Sequence, residues 1–296
     1  MCMTTPPAYR QIGILGSGRV AQAMGAALAD QSRAPLLMWG RTQAKVQRVA
    51  DRIGHARAAP DCAALAASCD LIVLAVADDA LEDIVAQLAA QAMAQRPFII
   101  HVSGKNGVAL LEPLRRAGAQ VAAIHPAMTF TGDPQAERLR MAGAVFAVTT
   151  IDNAALAQAQ QLVGLLGGVL VQVTEERRAL YHAALCHAAN HLVTLLAGAR
   201  EALTAAGIAR PQDVMAPLVQ AAMDNSLVEG MGALSGPLLR GDRGTIERHL
   251  DALANDFPAL LPAYRGMASA TLEQLARQGH VPDPTLWALL TRSPGD

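Results

Sequence analysis

The first residues of this chain with a chemistry of their own are Gly16-Ser17-Gly18-Arg19-Val20-Ala21, set directly after the apolar run Ile12–Leu15. Glycine at 16 permits a tight turn, glycine at 18 lets the backbone approach a bulky anion, and alanine at 21 lets a helix pack on the preceding strand. A helix opening at Arg19 would aim unpaired amides and a partial positive charge at phosphate groups. The spacing predicts a pyrophosphate cradle made by Gly16, Ser17, Gly18, Arg19 and Val20. Roughly 20 residues further on, a site for NAD places Asp or Glu to bond the ribose 2′-hydroxyl. Here the chain reads Trp39-Gly40-Arg41-Thr42-Gln43, with no acid between Leu36 and Val49. Arg41 and Thr42 supply a fixed charge, a forked donor and a second donor, which is what a 2′-phosphate needs. NADP is therefore the expected cofactor, ahead of NAD.

Three further apolar runs end in polar groups: Ala75-Val76-Ala77-Asp78, His101-Val102-Ser103-Gly104-Lys105 and Ile124-His125-Pro126. In a doubly wound sheet ligands lie beyond the carboxyl ends of the strands. Val76, Ala77, Asp78, His101 and Ser103 are thus expected along the cofactor, with Ser103 near the nicotinamide and Asp78 also placed to cap the next helix. A histidine at one strand end is often structural; two on successive ends over one crevice point to function. Imidazole, with an ordinary pKa of about 6.5, suits proton transfer near neutrality.

The elements that must position these groups follow from periodicity. Short runs rich in Val and Ile at 11–15, 35–39, 71–76, 98–102, 121–124, 144–148 and 169–173, with a weaker one near His55, read as strands. Between them, 19–31, 80–93 and 107–117 keep apolar residues at three- and four-residue spacing, as amphipathic helices do. Strands alternating with such helices predict an α/β fold, a doubly wound and mostly parallel sheet. After Val173 only helical patterns remain, broken at Pro211, at glycines 230, 232, 241 and 244, and at Pro282 and Pro284. The expected organisation is a dinucleotide-binding domain over 1–173 and an all-helical substrate and dimerisation domain over 174–296. One long helix from Glu175 to about Ala206 would lead the second. At about 100° per residue, His182, Cys186 and Asn190 fall on one face of it and His187 and His191 on another. Buried Asn and His need partners, so this polar stripe marks a cavity, an interface or a set of hydrogen-bonded core histidines.

Composition excludes several classes. The 296 residues are 52% hydrophobic and 17% charged, so the chain is globular rather than disordered. A net charge of −1 without a basic block, and few aromatics, argue against reading nucleic acid. Lys45 and Lys105 are the only lysines, which confines any lysine chemistry to those two positions. Cys2, Cys62, Cys69 and Cys186 form no C-x-x-C pair and no zinc spacing, and position 188 lacks the acid of H-E-x-x-H, so no metal site is expected. No secretory leader is read at the start, because Gly16 and Gly18 interrupt the first apolar stretch. The run 183–199 carries His187, Asn190 and His191 and reads as a buried core helix rather than a membrane span. A cytoplasmic protein is expected.

Taken in order, the glycine turn, the Ala-Val-x-Asp end, His-x-Ser-Gly, His-Pro-x-x-Thr-Phe, Tyr181-His-Ala-Ala with Asn190, and Leu234-Ser-Gly-Pro-Leu-Leu-Arg-Gly-Asp242 span essentially the whole chain. Together they resemble a bacterial family with a Rossmann-like N-terminal domain and a helical C-terminal domain of unknown function. It belongs to the 6-phosphogluconate-dehydrogenase-like superfamily, beside pyrroline-5-carboxylate reductase, ketopantoate reductase and deazaflavin-dependent NADP oxidoreductases. The resemblance implies a nicotinamide oxidoreductase, usually a homodimer, acting on a small-molecule substrate between its domains. β-Hydroxyacid dehydrogenases of the superfamily carry a proton-donating Lys one turn before the Asn of that helix; this chain has Cys186 there. A thiol has no ammonium to hold a developing alkoxide. The expected function is NADP(H)-dependent hydride transfer to or from a small carbonyl or imine, with His125 or His182 as proton donor and Asn190 orienting the substrate. The alternatives are a nucleotide sensor or scaffold without turnover, and transfer to a deazaflavin.

Overall fold

The structure, a computed structural model, describes residues 6–93 and 96–291. Cys2 lies outside them. The eight expected strands are present as β1 (Ile12–Leu15), β2 (Leu36–Trp39), β3 (Ala56–Ala58), β4 (Leu71–Leu74), β5 (Phe98–His101), β6 (Gln120–Pro126), β7 (Val145–Thr149) and β8 (Val169–Gln172). They form one sheet in the order β3-β2-β1-β4-β5-β6-β7-β8. Every pairing is parallel except β6 with β7, which is antiparallel. β1 and β4 are buried throughout, because helices cover both faces and each side chain of the alternating pleat meets one layer or the other.

Ile12, Ile14, Met38, Val73 and Ile100 point into one layer, with α1 (Arg19–Leu28), α2 (Gln43–Ile53), α6 (Pro134–Met141) and α7 (Asn153–Leu165). Leu15, Leu37, Ile72, Leu74 and Ile99 point into the other, with α3 (Cys62–Ser68), α4 (Leu81–Ala89) and α5 (Glu112–Arg116). Burying each such Leu or Ile contributes about 2 kcal/mol. Asp61, Asp133 and Asp152 accept from the first-turn amides of α3, α6 and α7. The helices after the glycine turn and after β2, by contrast, have no side-chain cap: α1 starts from Gly18 and α2 from Thr42.

The stretch expected as one long helix is continuous but not uniform. A 3-10 turn at Glu175–Arg177 leads into α8 (Arg178–Leu185), a π-helical turn at Cys186–Asn190 and then α9 (His191–Ala205). The π turn ends the uniform spacing at Cys186, so the constant step of about 100° per residue used to draw the face through His182, Cys186 and Asn190 does not hold beyond it. Secondary structure changes after β8, while the first compact unit runs to Cys186. The reason lies in Glu175, Arg178 and Tyr181, which are bonded into the first unit.

The second unit, from His187 onward, continues with α10 (Pro211–Glu229), α11 (Pro237–Arg240), α12 (Arg243–Asp256), α13 (Leu261–Arg277) and α14 (Pro284–Thr291). Its core is drawn from the last three helices through Ile246, Leu250, Leu272, Leu275, Leu286 and Leu290. No residue of α9 is buried. The expected core helix over 183–199 is thus corrected: Leu192, Val193 and Leu195 are exposed, and within its unit α9 packs chiefly against α10 and the turn at 258–260.

Candidate functional site

The glycine turn has the geometry its sequence demands. Gly16 has φ +128°, in the region L side chains avoid, and a Cβ there would run into the Ala75 carbonyl oxygen. Over Gly18 the space is open, so the backbone is bare where an anion would come. These residues line a cavity of about 320 Å³ together with Trp39, Arg41, Thr42, Lys45, Ala75, Val76 and Ala77. The uncapped first turns of α1 and α2 offer free amides at this edge. Two cations, a hydroxyl and two helix starts around one cavity fit a dinucleotide bearing an additional phosphate. Lys45 escaped the sequence analysis. Its signal was its place in the first turn of the helix that follows Arg41.

Arg19 also reaches across to the loop after β6, donating from Nη1 to the Phe130 carbonyl at 3.4 Å. Asp78 does not cap a helix. The turn at Asp78–Ala80 starts from Ala77 without a side-chain cap, and Asp78 instead pairs with Lys105 at 3.7 Å.

Beyond β5 the histidine has a different role from the one expected. His101 is completely buried. Its Nε2 lies 2.8 Å from the Gly107 carbonyl, which can only accept, and its Nδ1 accepts from the Ser103 amide at 3.2 Å. Both ring nitrogens are spent on the 102–107 loop, so His101 holds that loop and has none left for a cofactor. Burial, outweighing the Gly107 bond, takes its pKa down to about 4 and keeps the ring neutral. Ser103 Oγ in turn accepts from the Asn106 amide at 3.2 Å, which fixes the turn through Gly104.

The loop presses against the second histidine. His125 Nδ1 and the Tyr181 hydroxyl are 3.0 Å apart, and the His182 ring meets His125 edge-on at 5.9 Å between centroids. A Cβ on Gly104 would strike the His182 ring and come within 3.0 Å of His125 Nε2, so a larger residue here would have to displace His182. Burial, then the charges of Arg178 and His182, lower the His125 pKa to about 4. Burial raises that of Tyr181, with Arg178 opposing it. Cys186 Sγ lies 3.8 Å from His182 Nε2, one turn along the chain. The structure therefore brings His125 and His182 together beside Gly104, the residue after Ser103, and adds Tyr181.

Arg178 organises this cluster and was not singled out from sequence. It is buried, with 1% of its surface exposed. Nε donates to Thr149 Oγ1 at 2.8 Å, and Nη2 donates to the Ala123 and Ala147 carbonyls at 2.8 and 3.3 Å. Nη1 reaches the Gly104 carbonyl at 3.5 Å. The guanidinium ties α8 to β6, β7 and the Gly104 loop using neutral acceptors alone. Nearby Glu175 is spent on the Val108 amide at 2.7 Å.

Asn190 belongs to the second unit and is exposed. His187 and His191 pair through Nδ1 atoms 3.0 Å apart, also exposed. Asp242 caps α12 by accepting from the Thr245 amide at 3.0 Å, so its segment is a structural turn. Among the described residues no three or more His, Cys, Asp or Glu side chains cluster as a metal site would require. Nor is any described helix long and apolar enough to cross a membrane.

Residues 3–126 match the family model of the Rossmann-like domain, and residues 144–271 match the domain of unknown function DUF2520. The chain joins a Rossmann-like domain to a DUF2520 domain. This is the arrangement its motifs resemble. The DUF2520 match begins at β7, so that domain contributes the last two strands, Arg178 and Tyr181 as well as α7 to α12 and most of α13. No curated protein matches the chain by sequence.

Solved structures do match. A Bacteroides fragilis protein provisionally assigned as an NADP oxidoreductase shares 20% identity at a TM-score of 0.74, over 89% of this chain and 98% of its own. An imine reductase from Myxococcus stipitatus, solved with NADP+, shares 16% at 0.66, over 95% of this chain and 100% of its own. A reductive aminase from Aspergillus terreus, solved with NADPH, shares 20% at 0.62, over 95% and 98%. At these identities the likeness establishes the fold.

Proposed function

We propose that this chain is an NADP(H)-dependent oxidoreductase that moves hydride to or from a small carbonyl or imine compound. The observation that carries the reading is the cavity over Gly16–Gly18, whose lining combines an uncapped helix start with Arg41, Thr42 and Lys45. Amides of Ser17 to Val20 would hold the pyrophosphate, and Arg41, Thr42 and Lys45 the 2′-phosphate. Bound NADPH supplies the hydride, so the protein's part is to orient the reactants and hold a proton. The cluster of His125, Tyr181 and His182 would be the place for that proton. The fold shared with NADP-bound reductases supports the same reading. A second copy of the chain completes the proposal: α9 and α10 leave Leu192, Val193, Leu218, Leu227 and Val228 exposed, and a homodimer would cover them.

Titration with NADPH and NADH, followed through quenching of Trp39 at the cavity, tests the cofactor. Tight NADPH binding, weak NADH binding and loss of the preference in Arg41→Ala are expected. Binding of neither nucleotide overturns the reading. Binding without NADPH oxidation by any ketone, 2-oxo acid or cyclic imine would leave a nucleotide sensor instead. Light scattering at micromolar concentration reports the dimer.

A further inference from the structure

A reduction of this kind needs a proton at the atom left electron-rich by hydride, and the cluster beyond β5 and β6 holds three groups that could give it: His125, His182 and Tyr181. Their surroundings separate them. The charged and titratable groups around His125 are Arg178, His182, His101, Tyr181 and Asp78. Only Asp78 is negative, and it is paired with Lys105. A buried guanidinium bonded to nothing but carbonyls and a hydroxyl opposes a second positive charge beside it. His125 therefore has no imidazolium proton to give near neutrality. The same charge favours the anion that a phenol leaves behind.

Placement agrees. Arg178 and Tyr181 lie one turn apart on α8, and Arg178 is anchored on Ala123, two residues before His125 in β6. That anchor sets the distance between the Tyr181 hydroxyl and His125 Nδ1. With Nδ1–H donating to the phenolic oxygen, the hydroxyl hydrogen is free to point to a substrate atom. His182 is packed against Gly104, His125 and Cys186 and makes no such bond to a hydroxyl.

We propose that Tyr181 is the proton donor of the reduction and that His125 is its positioning residue. The proposal rests on the oxidoreductase reading above. In the step, the Tyr181 O–H bond breaks and its proton bonds to the carbonyl oxygen or imine nitrogen. The O–H electron pair stays on the phenolate, beside Arg178. The substrate carbon gains hydride and is reduced by two electrons, reduced nicotinamide is oxidised by two, and water returns the proton to Tyr181.

The test uses the full chain and the variants Tyr181→Phe, His182→Asn, His125→Asn and His125→Phe. NADPH affinity is measured first, by Trp39 quenching. Turnover then follows NADPH oxidation with cyclohexanone, pyruvate and 1-pyrroline as probes. Tyr181→Phe is expected to bind NADPH within about twofold of the parent and to lose about 100-fold or more in kcat. His182→Asn should lose clearly less turnover than Tyr181→Phe, and an equal or larger loss would return the donor role to His182. His125→Asn, whose amide can still donate to the phenol, should keep more turnover than His125→Phe. A third readout needs no cofactor: ultraviolet titration of tyrosinate, with Tyr181 resolved by subtracting the Tyr181→Phe curve. In His125→Phe the Tyr181 midpoint should move to higher pH, because the phenolate loses a donor. Full turnover in Tyr181→Phe overturns the donor assignment, and an unmoved midpoint overturns the role of His125. If the parent binds no NADPH, or oxidises it with none of the three probes, the oxidoreductase reading fails and takes this proposal with it.

Discussion

Over β1, β2 and β4 the carboxyl edge of the sheet is built from backbone: a glycine at φ +128°, a bare Gly18, two helix starts without caps, and cations at the margin. Over β5, β6 and β7 the same edge is built from side chains that reach across many residues of sequence. Arg178 bonds to Ala123 and Ala147, Tyr181 to His125, and Glu175 to Val108. The first region is open and charged at its margin, and the second is packed and polar inside. A backbone-built cradle tolerates exchange of the side chains around it. A side-chain-built cluster fails when one member is removed, because each partner then becomes an unsatisfied buried group.

That contrast can be broken most directly at Arg178. Arg178→Met leaves the Ala123 and Ala147 carbonyls and the Thr149 hydroxyl without their donor, and is expected to cost about 3 kcal/mol of stability in urea unfolding. A loss below about 1 kcal/mol would mean that the packed region is as tolerant as the open one.

Acid provides the next largest effect. His101 and His125 have folded-state pKa values of about 4, below the ordinary 6.5 of the unfolded chain. Between those values the unfolded state binds more protons, so stability rises with pH across the window and levels off above it. At pH 5 each histidine should cost about 2 kcal/mol relative to pH 8. Urea midpoints at the two values measure this, and His101→Gln should remove its share of the slope.

At the open region effects are smaller and fall on binding. Arg41→Ala should weaken NADPH about tenfold, or about 1.4 kcal/mol, with NADH unchanged and the melting temperature of the free protein unmoved. Lys45→Ala should act in the same direction. Least of all is expected from Lys105→Ala, since its pair with Asp78 is half-exposed: under about 0.5 kcal/mol, and unchanged turnover. A large loss of turnover there would return lysine to the chemistry.

The same division explains what could be read from the sequence. All eight strands and the cradle were legible because apolar alternation and glycine spacing are local, and the doubly wound sheet turns them into positions at one edge. His125 and His182 were legible as residues at the right ends. Arg178 and Tyr181 had no comparable signal. An arginine among Glu-Glu-Arg-Arg looks solvated until β6 and β7 are seen to end their carbonyls against it. His101 misled for the converse reason: its partners, Ser103 and Gly107, belong to a loop whose shape only folding reveals. The π turn at Cys186–Asn190 was invisible to a rule that assumes constant helical spacing.

The position of Arg178 in the chain also bears on synthesis. A nascent polypeptide that has released β8 already contains the whole sheet, but the donor for Ala123, Ala147 and Thr149 is still to come. The Rossmann-like half therefore receives its last donor from the DUF2520 side, and a truncation at residue 173 would leave these carbonyls without it. The two family matches meet within the first compact unit, and the seam between them lies inside it.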